Sequence, residues 1–177
     1  RAIRFNESTV RNMGRGATGV KAMRLDDDPE DLIVGMIALT KPEGYDEENQ
    51  TDESLYPDMP TILVLSEKGV GKRSTIGEYR ITNRNGKGVK TINITEKTGK
   101  LVAIKKVMED EDIMIINKSG VTIRLAVEDI KKSSRNTQGV KLIDIQKRND
   151  VISSVCVVEH TDESELSDND VSETPET

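Results

Sequence analysis

One short pattern occurs three times in this chain, and its repetition limits the folds that the chain can adopt. The pattern Arg-x-x-x-Gly-Val-Lys is present as RGATGVK (15–21), RNGKGVK (84–90) and RNTQGVK (135–141). A further arginine stands eleven positions before each copy, at Arg4, Arg73 and Arg124. A fixed register of this kind indicates structural repeats, each of which buries its apolar face against a neighbour.

The segments between these copies predict strands rather than helices. Apolar runs rich in β-branched residues, such as TILVLS and IMIIN, favour strands. Alternation in TINIT and LIDIQ places the apolar side chains on one face. Each repeat therefore predicts about four antiparallel strands in roughly 45 to 50 residues. We expect an all-β fold, a partial β-propeller (β-pinwheel) of four-stranded antiparallel blades.

The repeats and the acidic segments divide the chain into five parts. Residues 1–39 predict a partial blade that lacks its opening strand, and residues 61–107 and 108–158 predict two complete blades. Residues 40–60 hold seven acidic residues and one lysine, which predicts an acidic loop insertion. Residues 159–177 hold eight acidic residues and no Lys or Arg, which predicts a disordered acidic tail. Because the first repeat is incomplete, we expect the chain to be a fragment of a longer propeller.

The net charge of −6 does not exclude a polyanionic partner, because the acidic residues are concentrated in two segments. Outside residues 40–60 and 159–177, the chain holds 25 Lys and Arg against 17 Asp and Glu. The single cysteine, Cys156, excludes an internal disulfide and fits a reducing compartment, and its strand-like surroundings predict a buried thiol. The sequence contains no apolar run near the ~18 residues of a membrane span. We therefore expect a cytoplasmic location.

The motifs that point to an enzyme are incomplete. The stretch SEKGVGKRST resembles the end of a phosphate-binding P-loop, but Ser66 and Arg73 stand where that motif requires Gly and Ser or Thr. The one histidine, His160, opens the acidic tail, so the chain cannot assemble a histidine-based triad or a histidine-rich metal cluster. We expect no catalytic residue, no metal and no cofactor in this chain.

The repeated basic loops are the best candidate for a binding site. Each places two cations beside a glycine that would let a phosphate chain approach the backbone. A single copy would be an ordinary solvated turn, but three copies on successive blades favour duplex DNA as the ligand. A protein-docking propeller, which belongs to a different functional class, stays an alternative. The candidate DNA-binding residues are Arg4, Arg15, Lys21, Lys72, Arg73, Arg84, Lys87, Lys90, Arg124, Arg135 and Lys141.

The three loops, together with EYRITNRNGKGVKTINITEKTGKLVAIKKV and MIINKSGVTIRLAVEDI, closely resemble the C-terminal propeller of the bacterial DNA gyrase A protein. The resemblance extends over residues 1 to about 158 and is greatest to the Bacteroidetes branch of the family. It implies a ring or spiral of about six blades that wraps DNA around a basic outer edge. It also implies a role in ATP-dependent negative supercoiling by an A2B2 assembly with the gyrase B protein. The catalytic tyrosine, ATP and Mg²⁺ would then belong to other regions of that enzyme.

One departure from the family pattern leaves a second enzyme as an alternative. The family's Gln-Arg-Arg-Gly-Gly-Lys-Gly box aligns with residues 82–88, of which Arg84, Gly86, Lys87 and Gly88 match. This segment therefore resembles a degenerate copy of the box on a later blade. The C-terminal domain of the topoisomerase IV A protein, an enzyme that decatenates DNA, stays an alternative.

Overall fold

A computed structural model describes residues 1–40, 43–44, 59–145 and 150–160, and these residues are almost entirely strands and loops. Helical structure in these ranges consists of two 3₁₀ turns, Glu7–Thr9 and Ile76–Glu78. The all-β prediction is confirmed. The described ranges contain seven strands, which are β1 (Thr61–Ser66), β2 (Val70–Thr75), β3 (Leu101–Val107), β4 (Glu111–Asn117), β5 (Thr122–Ala126), β6 (Val140–Lys141) and β7 (Ile152–Glu159).

The first sheet has the strand order β3-β1-β2-β6, and β1 is antiparallel to both of its neighbours. Leu63 of β1 lies opposite Arg73 of β2 and opposite Lys105 of β3. All six residues of β1, the predicted TILVLS strand, are buried. A central strand that is covered on both faces reads as a continuous apolar run, which explains why this segment does not alternate.

The fourth strand of the first sheet comes from another repeat. Val140 and Lys141 of β6 pair with Gly71 and Val70 of β2. The sequence predicted that residues 61–107 would supply all four strands of one blade, and this detail is wrong. The Gly-Val-Lys segment crosses to the preceding repeat because its glycine lets the two backbones approach closely. Sheet boundaries and repeat boundaries therefore differ.

The second sheet has the order β5-β4-β7 and belongs to residues 108–160. Glu159, which the sequence assigned to the disordered tail, is the last residue of β7 and pairs with Glu111. The rest of the predicted tail, 161–177, and most of the predicted insertion, 41–42 and 45–58, lie outside the described residues. Cys156 lies on β7 as expected, but the prediction that it is buried is wrong, because its side chain is exposed.

Two apolar cores stack the repeats on one another. One face of β1 packs against the second sheet, where Leu63 joins Ile113 and Ile115 of β4. The other face packs towards the first repeat, where Val64 shares a cluster with Ile37. The equivalent strands β3 and β7 contact each other between the sheets. We define the opposite side of each sheet, where β6 lies in the first sheet, as the outer edge.

The first repeat contains isolated bridges rather than strands of its own. Ala2 bridges Val89 and Arg4 bridges Ile81, so the repeat is attached through the second repeat. Leu32 and Met36 are exposed by 69% and 90%. No helix among the described residues has the length and apolar character needed to cross a membrane.

Candidate nucleic-acid interface

The glycine of each Gly-Val-Lys segment has a left-handed backbone, with φ of +88° at Gly19, +66° at Gly88 and +91° at Gly139. A Cβ on Gly139 would lie 2.6 Å from the carbonyl oxygen of Gly71, and a Cβ on Gly88 would overlap the carbonyl oxygen of Ala2. The sequence assigned this close approach to a phosphate chain. The structure shows that the backbone of the preceding repeat makes it instead.

Two of the predicted DNA-binding arginines donate hydrogen bonds to backbone carbonyls of the preceding repeat. Arg84 Nε lies 3.0 Å from Thr9 O, and its Nη1 lies 2.9 Å from Lys21 O. Arg135 makes the same two contacts one repeat later, with Glu78 O at 2.9 Å and Lys90 O at 3.0 Å. The recurrence of this arginine thus reflects a repeated contact between neighbouring repeats.

The arginines at the other register position also contact backbone. Arg4 Nη1 donates to the carbonyls of Ile76 and Tyr79 at 3.3 and 3.2 Å. Arg73 is 3% exposed, donates to the carbonyls of Ile130 and Glu128, and forms a two-bond ion pair with Glu109 at 2.8 Å. Its guanidinium is therefore enclosed by protein acceptors.

Lys72 is the most deeply enclosed cation of the predicted set, with an exposure of 1%. Its Nζ donates to the carbonyls of Ser134, Arg135 and Thr137. Burial lowers the pKa of Lys72 from 10.5 to about 8, although the nearby Glu78 carboxylate opposes this shift. The placement of Lys72 and Arg73 among the candidate DNA-binding residues is wrong, because a phosphate cannot reach a side chain that the protein covers.

Arg124 takes part in an ion cluster at the end of the second sheet. Its Nε lies 2.6 Å from Asp112 Oδ2, and its Nη2 donates to Glu159 O. His160 Nδ1 lies 2.8 Å from the other carboxylate oxygen of Asp112. The hydrogen bond with His160, followed by that from Arg124, lowers the pKa of Asp112. This arrangement joins β4, β5 and the end of β7.

The other predicted residues are exposed, Lys141 on β6 and the rest on loops. The described residues supply no ion pair to Arg15, Lys21 or Lys90. Lys87 pairs with Asp26 at 3.0 Å, but both side chains are more than half exposed. Lys141 lies 3.5 Å from Asp144 and is 46% exposed. These cations remain accessible to a phosphate.

Sequence reasoning missed a second set of repeated cations. Arg11, Arg80 and Lys131 stand four positions before Arg15, Arg84 and Arg135, and all three are exposed. Within the described ranges they have no ion pair. The same register that revealed the Gly-Val-Lys copies would have found them if Arg and Lys had been treated as equivalent.

These features define a propeller-type repeat protein whose first sheet takes a strand from the following repeat and whose repeats present exposed cations. A family model described as "DNA gyrase C-terminal domain, beta-propeller" matches residues 1–40, 60–108 and 111–158. The chain belongs to this family, as the sequence resemblance predicted.

Individual relatives agree with this assignment. The DNA gyrase A protein of Staphylococcus aureus (strain NCTC 8325 / PS 47) is 41% identical over 170 residues, which are 96% of this chain. The DNA gyrase A protein of Deinococcus deserti is 38% identical over 154 residues, or 87% of this chain. The chain spans 17% of the length of each relative. The likeness to the Bacteroidetes branch stays a prediction.

Solved structures show the same fold. The C-terminal domain of DNA topoisomerase IV matches with a TM-score of 0.71 at 24% identity, over 92% of this chain and 45% of that chain. The C-terminal domain of DNA gyrase A matches with a TM-score of 0.69 at 24% identity, over 87% of this chain and 46% of that chain. The similar scores mean that the fold does not distinguish the two enzymes.

Proposed function

We propose that this chain binds duplex DNA without sequence preference and bends it along the outer edge. The observation that carries the proposal is the recurrence of exposed cations at equivalent positions of the repeats, namely Arg11, Arg80 and Lys131 with Lys21, Lys90 and Lys141. Cations at regular intervals suit a phosphate backbone, and contacts to phosphate carry no sequence information.

Bending imposes an energy cost that several contacts must offset together. A bend of 40 to 90 degrees over 20 to 30 base pairs costs on the order of 1 to 6 kcal/mol. One exposed cation contributes too little, because its interaction with a phosphate is screened by salt. A repeated row on stacked sheets supplies the contacts without a large rearrangement of the protein, which favours the bent state.

Within a longer protein, the bent DNA would serve the supercoiling reaction of a gyrase. The relatives are gyrase A proteins, and this chain corresponds to a small fraction of their length. We propose that the gyrase B protein and the remainder of the A protein, in an A2B2 assembly, supply the ATP- and Mg²⁺-dependent catalysis. The reaction would take place in the bacterial cytoplasm, at the nucleoid, and this chain would supply no catalytic residue.

The test is a titration of the chain with a mixed-sequence duplex at several salt concentrations. Phosphate contacts predict a log-log slope of several units, since each contact contributes about 0.9. A slope near zero would instead support a protein-docking propeller. Decatenation by a topoisomerase IV is the second candidate, because the segment 82–88 departs from the family box. The full-length protein with its ATPase partner would distinguish the two by supercoiling relaxed plasmid or by unlinking catenated circles.

A further inference from the structure

The arginine of each repeat connects two separate segments of the repeat before it. Arg84 donates to Thr9 O and Lys21 O, which are twelve positions apart in the chain. Arg135 donates to Glu78 O and Lys90 O, which are also twelve positions apart. Each guanidinium therefore fixes the distance between two backbone segments of the preceding repeat, and we call this contact the arginine clamp.

The clamped segments carry the exposed cations. Arg11 lies two residues after Thr9, and Lys21 is itself the second clamped residue. Arg80 lies two residues after Glu78, and Lys90 is the second clamped residue in that repeat. Both pairs of side chains are exposed, whereas Arg84 and Arg135 are partly buried.

The chemistry of the two kinds of cation is different. A guanidinium holds its N–H donors in a rigid plane, so two donors aimed at two carbonyls fix a geometry that a lysine ammonium cannot reproduce. Donors that are engaged with carbonyls are not available to a phosphate. The backbone that carries each exposed cation is already fixed by the arginine. Less conformational entropy is therefore lost when the cation binds a phosphate, which favours binding.

We propose that Arg84 and Arg135 are positioning residues, and that the phosphate contacts fall on the cations they hold, Arg11 with Lys21 and Arg80 with Lys90. The inference rests on the proposed DNA-binding function and assigns different roles in it to the two kinds of cation. The clamps set the spacing of the cation pairs, and the pairs supply the charge. Lys131 and Lys141 form the equivalent pair of the third repeat, for which the described residues contain no clamping arginine.

The test separates charge from geometry in the full chain, with a mixed-sequence linear duplex as the probe. Changing Arg80→Gln together with Lys90→Gln should lower the salt slope by about two, since each lost phosphate contact removes about 0.9. The midpoint of urea unfolding should stay unchanged, because neither side chain has a protein partner among the described residues. Lys97→Gln with Lys118→Gln removes the same charge from other exposed positions and should leave the slope unchanged.

Arg135→Lys retains the charge and removes the planar donor pair. We expect an unchanged salt slope, a lower urea midpoint, and several-fold less writhe trapped in a relaxed plasmid that is closed in the presence of the chain. Arg84→Lys repeats the test at the other pair, in case the first variant does not fold. We expect the trapped writhe to stay below that of the wild type even when equal amounts of folded protein are compared, because the substitution changes the spacing of the cations.

Three results would overturn the scheme in recognisable ways. A slope that falls by about one in Arg135→Gln or Arg84→Gln would make those arginines phosphate contacts. An unchanged slope in the Arg80→Gln, Lys90→Gln variant would remove the exposed pair from the interface. A wild-type slope near zero would reject DNA binding itself, and the division of labour with it.

Discussion

The junction between the first and second repeats and the junction between the second and third make the same arginine contacts in different surroundings. At the first junction, Arg84 donates to Thr9 O and Lys21 O, but the repeats are joined by isolated bridges. At the second junction, Arg135 makes the equivalent contacts beside a continuous pairing of β2 with β6.

The second junction also contains buried ionic groups, whereas the ion pair of Lys87 with Asp26 at the first junction is exposed. Lys72 reaches three carbonyls of the third repeat, whereas the equivalent residue of the first repeat is Ile3. Arg73 pairs with Glu109, which also contacts Lys132. The contacts shared by both junctions are therefore the arginine clamp, the close approach of glycine, and the bonds from Arg4 and Arg73 to carbonyls of the following repeat. The sheet and the buried ionic groups are additions at one of them.

The largest loss of stability is expected from a substitution that introduces a side chain next to β6. Gly139→Ala puts a Cβ against the carbonyl of Gly71 and imposes a left-handed backbone on alanine. We expect the free energy of unfolding to fall by about 3 kcal/mol or more, from backbone strain plus displacement of β6. Urea denaturation measures the change.

Gly19→Ala is the matched control, because Gly19 has the same backbone conformation and nothing within 4 Å of its would-be Cβ. It should cost about 1 kcal/mol, the strain alone. Gly88→Ala should behave like Gly139→Ala, because its Cβ would also overlap a backbone carbonyl. Equal effects of all three substitutions would show that the close approach is not a source of stability.

The next effect concerns Lys72, which distinguishes the second junction from the first. Lys72→Met removes the donor to three carbonyls, and we expect a loss of about 1 to 3 kcal/mol at pH 7. The pKa of Lys72 is lowered to about 8 in the folded chain, so the folded state binds fewer protons than the unfolded state between pH 8 and 10.5. The contribution of Lys72 to stability should therefore rise with pH across this window.

Urea unfolding of the wild type and of Lys72→Met from pH 7 to 10.5 tests this expectation. The gap between the two unfolding free energies should widen as the pH rises. Ile3→Met at the equivalent position of the first repeat serves as the control and should show no such widening. A constant gap would mean that Lys72 titrates in the folded chain as it does in the unfolded one.

The smallest effect is expected at Glu109, which bridges Arg73 and Lys132. Hydrogen bonds from Arg73 and then Lys132 lower the pKa of Glu109 from 4.5 to about 2. Its stabilising contribution is present above pH 4.5 and is lost as the pH falls towards 2. Because Glu109 is half exposed, we expect Glu109→Gln to cost at most about 1 kcal/mol at pH 6.

Acid titration of stability would show whether this ion pair matters. The wild type should lose more stability than Glu109→Gln between pH 4.5 and 2, and the two curves should converge at the lower limit. Asp110→Asn, at the neighbouring exposed carboxylate, is the control. Parallel curves for the wild type and Glu109→Gln would contradict the assigned pKa.

The sequence predicted the strands of this fold better than their partners. Apolar runs rich in β-branched residues identified β1, β4 and β7, because backbone preference is a local property. The alternation in TINIT and LIDIQ was misleading, because residues 91–95 and 142–145 lie outside the strands and Ile94 is exposed. Strand exchange was not predictable in this way. The Gly-Val-Lys segment has the same pattern whether it pairs within its own repeat or with β2 of the preceding one.

The roles of the cations were harder to predict, because a sequence does not display backbone acceptors. Arg84 and Arg15 occupy the same repeat position, yet Arg84 donates to carbonyls while Arg15 is exposed. The difference between them is that Arg84 contacts the backbone of residues 9 and 21, and the described residues supply no such contact to Arg15. Arg80 and its equivalents could have been recognised from register alone, whereas the burial of Lys72 required knowledge of which loop covers β2.

The exchanged strand β6 also affects the order in which the protein can assemble during translation. The first sheet gains its third strand when Val107 has been made, but β6 follows about 34 residues later. At about 5 to 20 residues per second, the edge of β2 would wait roughly 2 to 7 seconds for its neighbour to leave the ribosome. During that interval the unpaired strand could accept a strand from another nascent chain, so synthesis rate and local crowding bear directly on correct folding of this domain.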